Sequence, residues 1–258
     1  MRFIFLALCA VFATTAVAAE PFNTFAERLC AAQTGEYQCV DIADGDTWKG
    51  KFPEFSDADR NNLKLFNRQN VELQSGQKVV VPAQLTDWWA LSPLPLTRTD
   101  GYTGLHIDLT RMAGADYVNG ELQMWFPAIG GADVCTNPKS GAQWPCRSPV
   151  GQWTVPAWAF DGSDRRSSSY PIGCKGTQCA PMPYFMLLDA KRRDGSFIGY
   201  GIHGRFIRGT NSSHGCIGVP DAFAQLINAT YKGSKLTVTI VQPESEEVFG
   251  QLLADAAY

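Results

Sequence analysis

The chain has 258 residues, 45% of them hydrophobic and 12% aromatic, which is enough to build one large domain or two smaller ones around a core. Twenty-two basic against 25 acidic side chains leave a net charge of −3. That balance argues against a nucleic-acid partner, because phosphate binding favours a basic surface.

In chain order, Met1 and Arg2 precede an apolar run, "FIFLALCAVFATTAVA", which closes on Ala16, Val17 and Ala18. Residues 1–18 read as a secretory signal peptide cleaved after Ala18 or Ala19. The run is short for a span of ~20 apolar residues, and no later segment suits a bilayer crossing. The mature chain is expected in the periplasm or cell envelope, with a net charge of −4 once Arg2 is lost. Residues 19–39 form an N-terminal segment. Residues 40–82 carry a strand-like start, a "DGDTW" turn, a helical stretch near 57–67 in which Leu63 and Phe66 share a face, and a closing strand "KVVVP". "GDTW", "LKLFN" and "LQSGQKVVVP" resemble a LysM module, a small strand–helix–helix–strand unit that binds amino-sugar glycans. The proline in "KGKFPEFS" departs from that pattern, and a small structural domain without glycan affinity is the alternative.

Residues 83–98, "AQLTDWWALSPLPLTR", read as a linker whose Trp88 and Trp89 either present a sugar platform or pack one domain on another. From 99 to 242 the pattern is mainly strand, with one helix at "PDAFAQLINATYK", where Phe223, Leu226 and Ile227 form an apolar face. A mainly β domain follows, and residues 243–258 read as a short surface helix or tail.

Cys9 goes with the signal, leaving seven cysteines. Six fall into near-neighbour pairs, in "CAAQTGEYQC", "CTNPKSGAQWPC" and "CKGTQC". Three local disulfides are the natural reading in an oxidising compartment, although sequence does not fix connectivity. Each short loop contributes somewhat under ~3 kcal/mol. Cys216 is left over, in "GYGIHGRFIRGTNSSHGCIGVP", beside His203 and His214. An odd cysteine in an exported chain is an intermolecular partner or a reactive thiol. A thiol attacks as thiolate, and a histidine in contact lowers its pKa by forming a thiolate–imidazolium pair. The helix starting at Pro220 adds partial positive charge. Gly215 permits backbone angles that turn N–H groups inward as an oxyanion hole.

"IHG…SSHGCI" resembles the signature of the L,D-transpeptidases, the YkuD-type catalytic domain. "LHIDLT" with "YVNGELQMWFPAIGG" is similar to the family's opening hairpin, "SPVGQWTV" to its Pro-x-Gly-x-aromatic strand, and "APMPYFMLLD" to its Met-Pro-Tyr segment near the substrate. The resemblance covers roughly 100–242 and implies a YkuD-like β-sandwich with one or two helices. It implies that Cys216 is the nucleophile and His203 the general base, oriented by a backbone carbonyl. The N–H groups of Gly215 and Cys216 would hold the oxyanion. Gly204, Ser213, His214 and Tyr184 would line the oxyanion and substrate side, with a structural hydrogen-bonding role the alternative for Ser213 and His214. His106, within a strand-like run, reads as structural.

The implied activity is that of a cysteine acyltransferase without metal or organic cofactor. It would take peptidoglycan stem peptides as substrate and glycan strands as partner, and be open to carbapenem acylation. Two departures stand out. The His203-to-Cys216 loop is short for the family, and Gly218 stands where the family carries Arg or Asn. Arg205 or Arg208 is expected to supply the missing contact. An L,D-carboxypeptidase or exchange enzyme using the same thioester is the nearest alternative. A non-catalytic glycan-binding protein, or a zinc site on His203, His214 and Cys216, are more distant ones.

Overall fold

The computed structural model describes residues 23–32, 37–85, 88, 89, 91–160, 165–167, 171, 173–191 and 195–242. The expected signal peptide with Cys9, and the helix expected at 243–258, lie outside them.

Helix α1 (Thr24–Ala32) opens on Asn23, whose Oδ1 accepts from the Ala26 N–H at 3.0 Å, and it buries Phe25, Ala26 and Leu29. A disulfide from Cys30 to Cys39 ties it to β1 (Tyr37–Asp41). Two helices follow. α2 (Trp48–Lys51) is a single turn capped by Thr47, ended where Pro53 disfavours helical angles at the residue before it. α3 (Asp57–Phe66) starts on a capping box between Ser56 and Asp59 and buries Leu63, Leu65 and Phe66. β2 (Lys78–Pro82) then pairs antiparallel with β1, closing a strand–helix–helix–strand unit.

β3 (Gly104–Asp108), β4 (Ala113–Val118) and β5 (Glu121–Pro127) form a meander. Its second turn is Asn119-Gly120, both at positive φ (52° and 84°), the backbone twist a two-residue hairpin requires. β6 (Val134–Thr136) and β7 (Gln143–Pro145) make a small hairpin closed by the Cys135–Cys146 disulfide. β8 (Gly151–Val155) follows, and a third disulfide joins Cys174 to Cys179. The three local pairs expected from spacing are all present, and Cys216 is a free thiol.

β9 (Met186–Leu187), β10 (Gly201–Gly204) and β11 (Ile217–Val219) form a small sheet, with β10 between the other two. Helix α4 (Asp221–Tyr231) follows, and β12 (Leu236–Val241) completes a five-stranded sheet in the order β5-β4-β3-β12-β8. Leu105, Ile107, Val238 and Ile240 of the large sheet meet Met186, Ile202, Ile217 and Val219 of the small one in the main core. α4 inserts Ala224 and Ile227 there. The apolar face expected on α4 is corrected in one place: Leu226 is 51% exposed, and Asn228 turns inward to donate to the Tyr184 carbonyl.

The stretch expected as a linker is packed where described. Trp88 stacks on Trp125 with centroids 3.9 Å apart, and the Trp125 Nε1–H donates to the Trp88 carbonyl. A second core joins Phe25 and Leu29 of α1, Phe66 and Val80 of the strand–helix–helix–strand unit, and Met112, Ile129 and Ile207 of the larger part. Arg68 is buried at this seam. Its guanidinium lies over Phe25, Phe66 and Trp125 and donates to the carbonyls of Phe66 and Arg111. Among the described residues no helix is long and apolar enough to cross a membrane.

Candidate active site

The site is laid out by the pleat of two parallel strands. In the β10–β11 register Ile202 faces Ile217 and His203 faces Gly218, so Gly201 falls opposite Cys216. Side chains alternate along each strand. Ile202, Ile217 and Val219 point into the core, leaving positions 201, 203, 216 and 218 on the other face. Two of these four are glycine. The result is a checkerboard in which the thiol and the imidazole each stand opposite an empty position, one diagonal step apart.

His203 is 7% exposed. Its Nδ1 lies 2.9 Å from the Gly204 carbonyl, which can only accept, so Nδ1 carries the proton and Nε2 holds a lone pair. The expected backbone orienter is therefore Gly204. Phe185 stacks on the ring at 6.1 Å. Burial pulls the pKa of His203 down to about 4, against the opposing Gly204 bond, and Arg205 adds to the lowering.

Cys216 departs from expectation. Burial pushes its thiol up, outweighing the Gly201 backbone bond, Arg205 and Arg165 that act the other way. The sulfur faces Gly201, and among the described residues no hydrogen bond joins it to His203. Desolvation disfavours the charged form of both groups, the direction opposite to a thiolate–imidazolium pair. Helix α4 begins at Asp221, beside the expected Pro220, and does not follow the cysteine directly. β11, missed in the sequence, intervenes. The resting pair is neutral thiol and neutral imidazole.

Gly215, at φ 118°, cannot carry a side chain, since a Cβ would sit 2.3 Å from the Tyr200 ring. Its N–H donates to Ser213 Oγ at 3.1 Å, and that hydroxyl donates to the Cys216 carbonyl. Ser213 thus shapes the loop, and the Gly215 N–H expected in the oxyanion hole is engaged inside it. His214 is exposed beside Trp144 of the disulfide hairpin, with centroids 6.1 Å apart, and burial followed by Arg205 lowers its pKa. Tyr184, at φ 55°, packs against the main core and is followed directly by Phe185. Gly204 lets Asp221 approach, since a Cβ would meet its carboxylate at 2.6 Å. His106 lies on β3, where its Nδ1 accepts from Arg98.

Arg205 and Arg208 are separated by the structure. A Cβ on Gly218 would lie 2.2 Å from the Arg205 Cδ, so the Arg205 side chain fills the space that residue 218 leaves. Its charge bears on His203, His214 and Cys216 alike. The Arg208 main chain forms an isolated antiparallel bridge with Gln69, and the residue is exposed. The sequence also missed Arg165, whose guanidinium lies 4.4 Å over the Phe185 ring. No motif marks it. Among the described residues no group of three or more His, Cys, Asp or Glu side chains is arranged to hold a metal.

The domain is sheet-rich and sets a free thiol and an oriented imidazole on one face of β10 and β11. The sequence matches the family model for the L,D-transpeptidase catalytic domain (YkuD) over residues 103–240, and the chain belongs to that family. Among solved structures it is similar to an L,D-transpeptidase from Xylanimonas cellulosilytica, at 20% identity and TM-score 0.46, covering 69% of this chain and 78% of that one. It is also similar to one from Mycobacterium smegmatis, at 17% identity and TM-score 0.38, covering 53% of this chain and 57% of that one. A mutant L,D-transpeptidase from Enterococcus faecium matches at 20% identity and TM-score 0.37, covering 65% of this chain and 57% of that one. The chain thus spans little more than half of the latter two. No curated protein matches.

Proposed function

We propose that this protein is an exported peptidoglycan L,D-transpeptidase that works through a thioester on Cys216. The observation that carries the reading is the register that sets Cys216 and His203 on one face of β10 and β11, with Nε2 of His203 left as acceptor. Because both groups rest neutral, His203 acts as general base during attack rather than as a preformed imidazolium.

Sγ attacks the carbonyl carbon at the L-centre of the donor's diamino acid while His203 Nε2 takes the thiol proton. The tetrahedral oxyanion collapses, the C–N bond breaks, and the departing D-residue amine takes the proton from His203. An amine of a second stem then attacks the thioester, gives its proton to His203, and the sulfur leaves and is reprotonated. With water in place of the amine the same steps make an L,D-carboxypeptidase. Arg205, over Gly218, offers the cation for a donor carboxylate, as a charge-assisted contact.

The strand–helix–helix–strand unit would hold glycan, next to a cleft of about 330 Å³ lined by polar residues including Thr47, Asp57, Asn61 and Glu72. Trp48 does not serve as a platform, being buried with its Nε1–H on the Val71 carbonyl.

The test is mass spectrometry of intact muropeptides after incubating the mature chain with cell-wall sacculi. New crosslinked dimers that vanish with Cys216→Ala are expected. Unchanged muropeptides with a folded protein would refute the reading.

A further inference from the structure

The loop from His203 to Cys216 does not stand alone. Residues 68–70, which leave α3, run beside it like an added strand. Asn70 Nδ2 donates to the Arg205 carbonyl at 3.2 Å, and Asn70 Oδ1 accepts from the Ile207 N–H at 2.8 Å. Its own N–H donates to the Ile207 carbonyl at 3.2 Å. Gln69 bridges to Arg208, and the Gly209 N–H donates to the Arg68 carbonyl at 2.7 Å. From α1, the Phe25 N–H and the Thr24 hydroxyl both donate to the Gly209 carbonyl. One asparagine side chain thus fixes the main chain on both sides of Phe206, immediately after the residue whose side chain covers Gly218.

We propose that Asn70 is a positioning residue for the reaction. It holds the main chain at 205–207 so that the Arg205 stem stays over Gly218, with Nε donating to the Phe206 carbonyl at 3.3 Å, and keeps the charge that acts on His203 and Cys216 where it binds a substrate carboxylate. The N-terminal unit is then part of the catalytic apparatus and not only a tether. This rests on the acyl-transfer reading above, and it adds a residue 135 positions away from Arg205 that no active-site motif contains.

The experiment is a double-mutant cycle on the full chain with Asn70→Ala, Arg205→Ala and the combination, read as KM and kcat on a stem-peptide donor. Each single variant should raise KM about tenfold, the loss of one charge-assisted contact, with kcat little changed. The combination should be no worse than Arg205→Ala alone, since Asn70 acts through Arg205. Additive losses, or an unchanged KM in Asn70→Ala, would overturn the proposal.

Iodoacetamide alkylation of Cys216 against pH supplies a readout independent of turnover. Removing or displacing Arg205 should move the thiol's titration to higher pH by the same amount in both single variants, and a shift in Arg205→Ala alone would count against Asn70. If the wild type turns over no stem peptide, the functional reading fails and the alkylation profile decides the positioning by itself. Should Asn70→Ala not fold, Asn70→Asp keeps the acceptor for Ile207 and removes the donor to Arg205 while adding a charge, so it is judged on the KM outcomes and not on the alkylation profile.

Discussion

The strand pair β10–β11 and the seam beside it place polar groups on opposite plans. At the strand pair, burial neutralises the ionisable groups: His203 is pulled down to about 4 and the Cys216 thiol is pushed up. At the seam, Arg68 is 1% exposed and its pKa falls only to about 9, still a cation at neutral pH. Three aromatic rings and two carbonyls surround that guanidinium, and cation–π contacts and hydrogen bonds offset its desolvation. The difference teaches that this chain tolerates a buried charge where the charge holds parts together, and avoids one where a proton must move.

The sharpest way to break that comparison is to remove the base. His203→Ala should slow carbapenem acylation by about 10²–10⁴-fold, the usual worth of general-base assistance. His214→Ala, exposed beside Trp144, should cost far less. Stopped-flow acylation rates that rank the two histidines equally, or reverse them, would remove His203 from its role.

Arg68→Ala tests the seam. It leaves two buried carbonyls without their donor and a hole among aromatic rings, and should cost about 3 kcal/mol of stability. Thermal unfolding should drop by on the order of 10 °C. Acylation per folded molecule should hold, and a rate loss without a drop in Tm would place Arg68 in the chemistry instead.

A smaller effect sharpens the neutral-pair side. With His203 titrating near 4, acylation should be nearly flat between pH 7.5 and 5.5. An imidazole at its ordinary 6.5 would lose about tenfold over that range. Stability follows the same sign. The folded state resists protonating His203 while the unfolded chain accepts the proton from 6.5 downward. Stability therefore falls as pH drops from 6.5 to about 4, by about 3 kcal/mol from this group, and then levels off. A urea series against pH checks it.

The smallest expected change is Gly218→Ala, whose methyl would displace Arg205, raise donor KM about threefold to tenfold and move the iodoacetamide titration of Cys216 to higher pH, as Arg205→Ala does.

How much of this could be read from the sequence follows the range of the contacts. The strand-end His203, the S-H-G-C string, the three disulfides and α3 with its Leu63–Phe66 face all rest on residues close to one another in sequence. They were legible. β11 was not, because three residues are too short to show alternation, and its absence made Cys216 seem to adjoin the helix. The direction of the thiol pKa depended on how deeply the fold buries Cys216, which spacing does not reveal. The seam was hidden entirely. Arg68 and Asn70 sit in a polar string, "NRQN", that reads as a solvated turn. Only the fold brings it against residues 205–209, 135 and more positions onward.

The acyl-transfer pair is tested most directly by locating the covalent bond itself. The mature chain is exposed briefly to a carbapenem, quenched, digested and mapped by tandem mass spectrometry. A single adduct on Cys216, lost in Cys216→Ala while the variant keeps its Tm, is the expected result. An adduct on another residue, or one that persists without the thiol, would contradict the assignment of Cys216 as nucleophile.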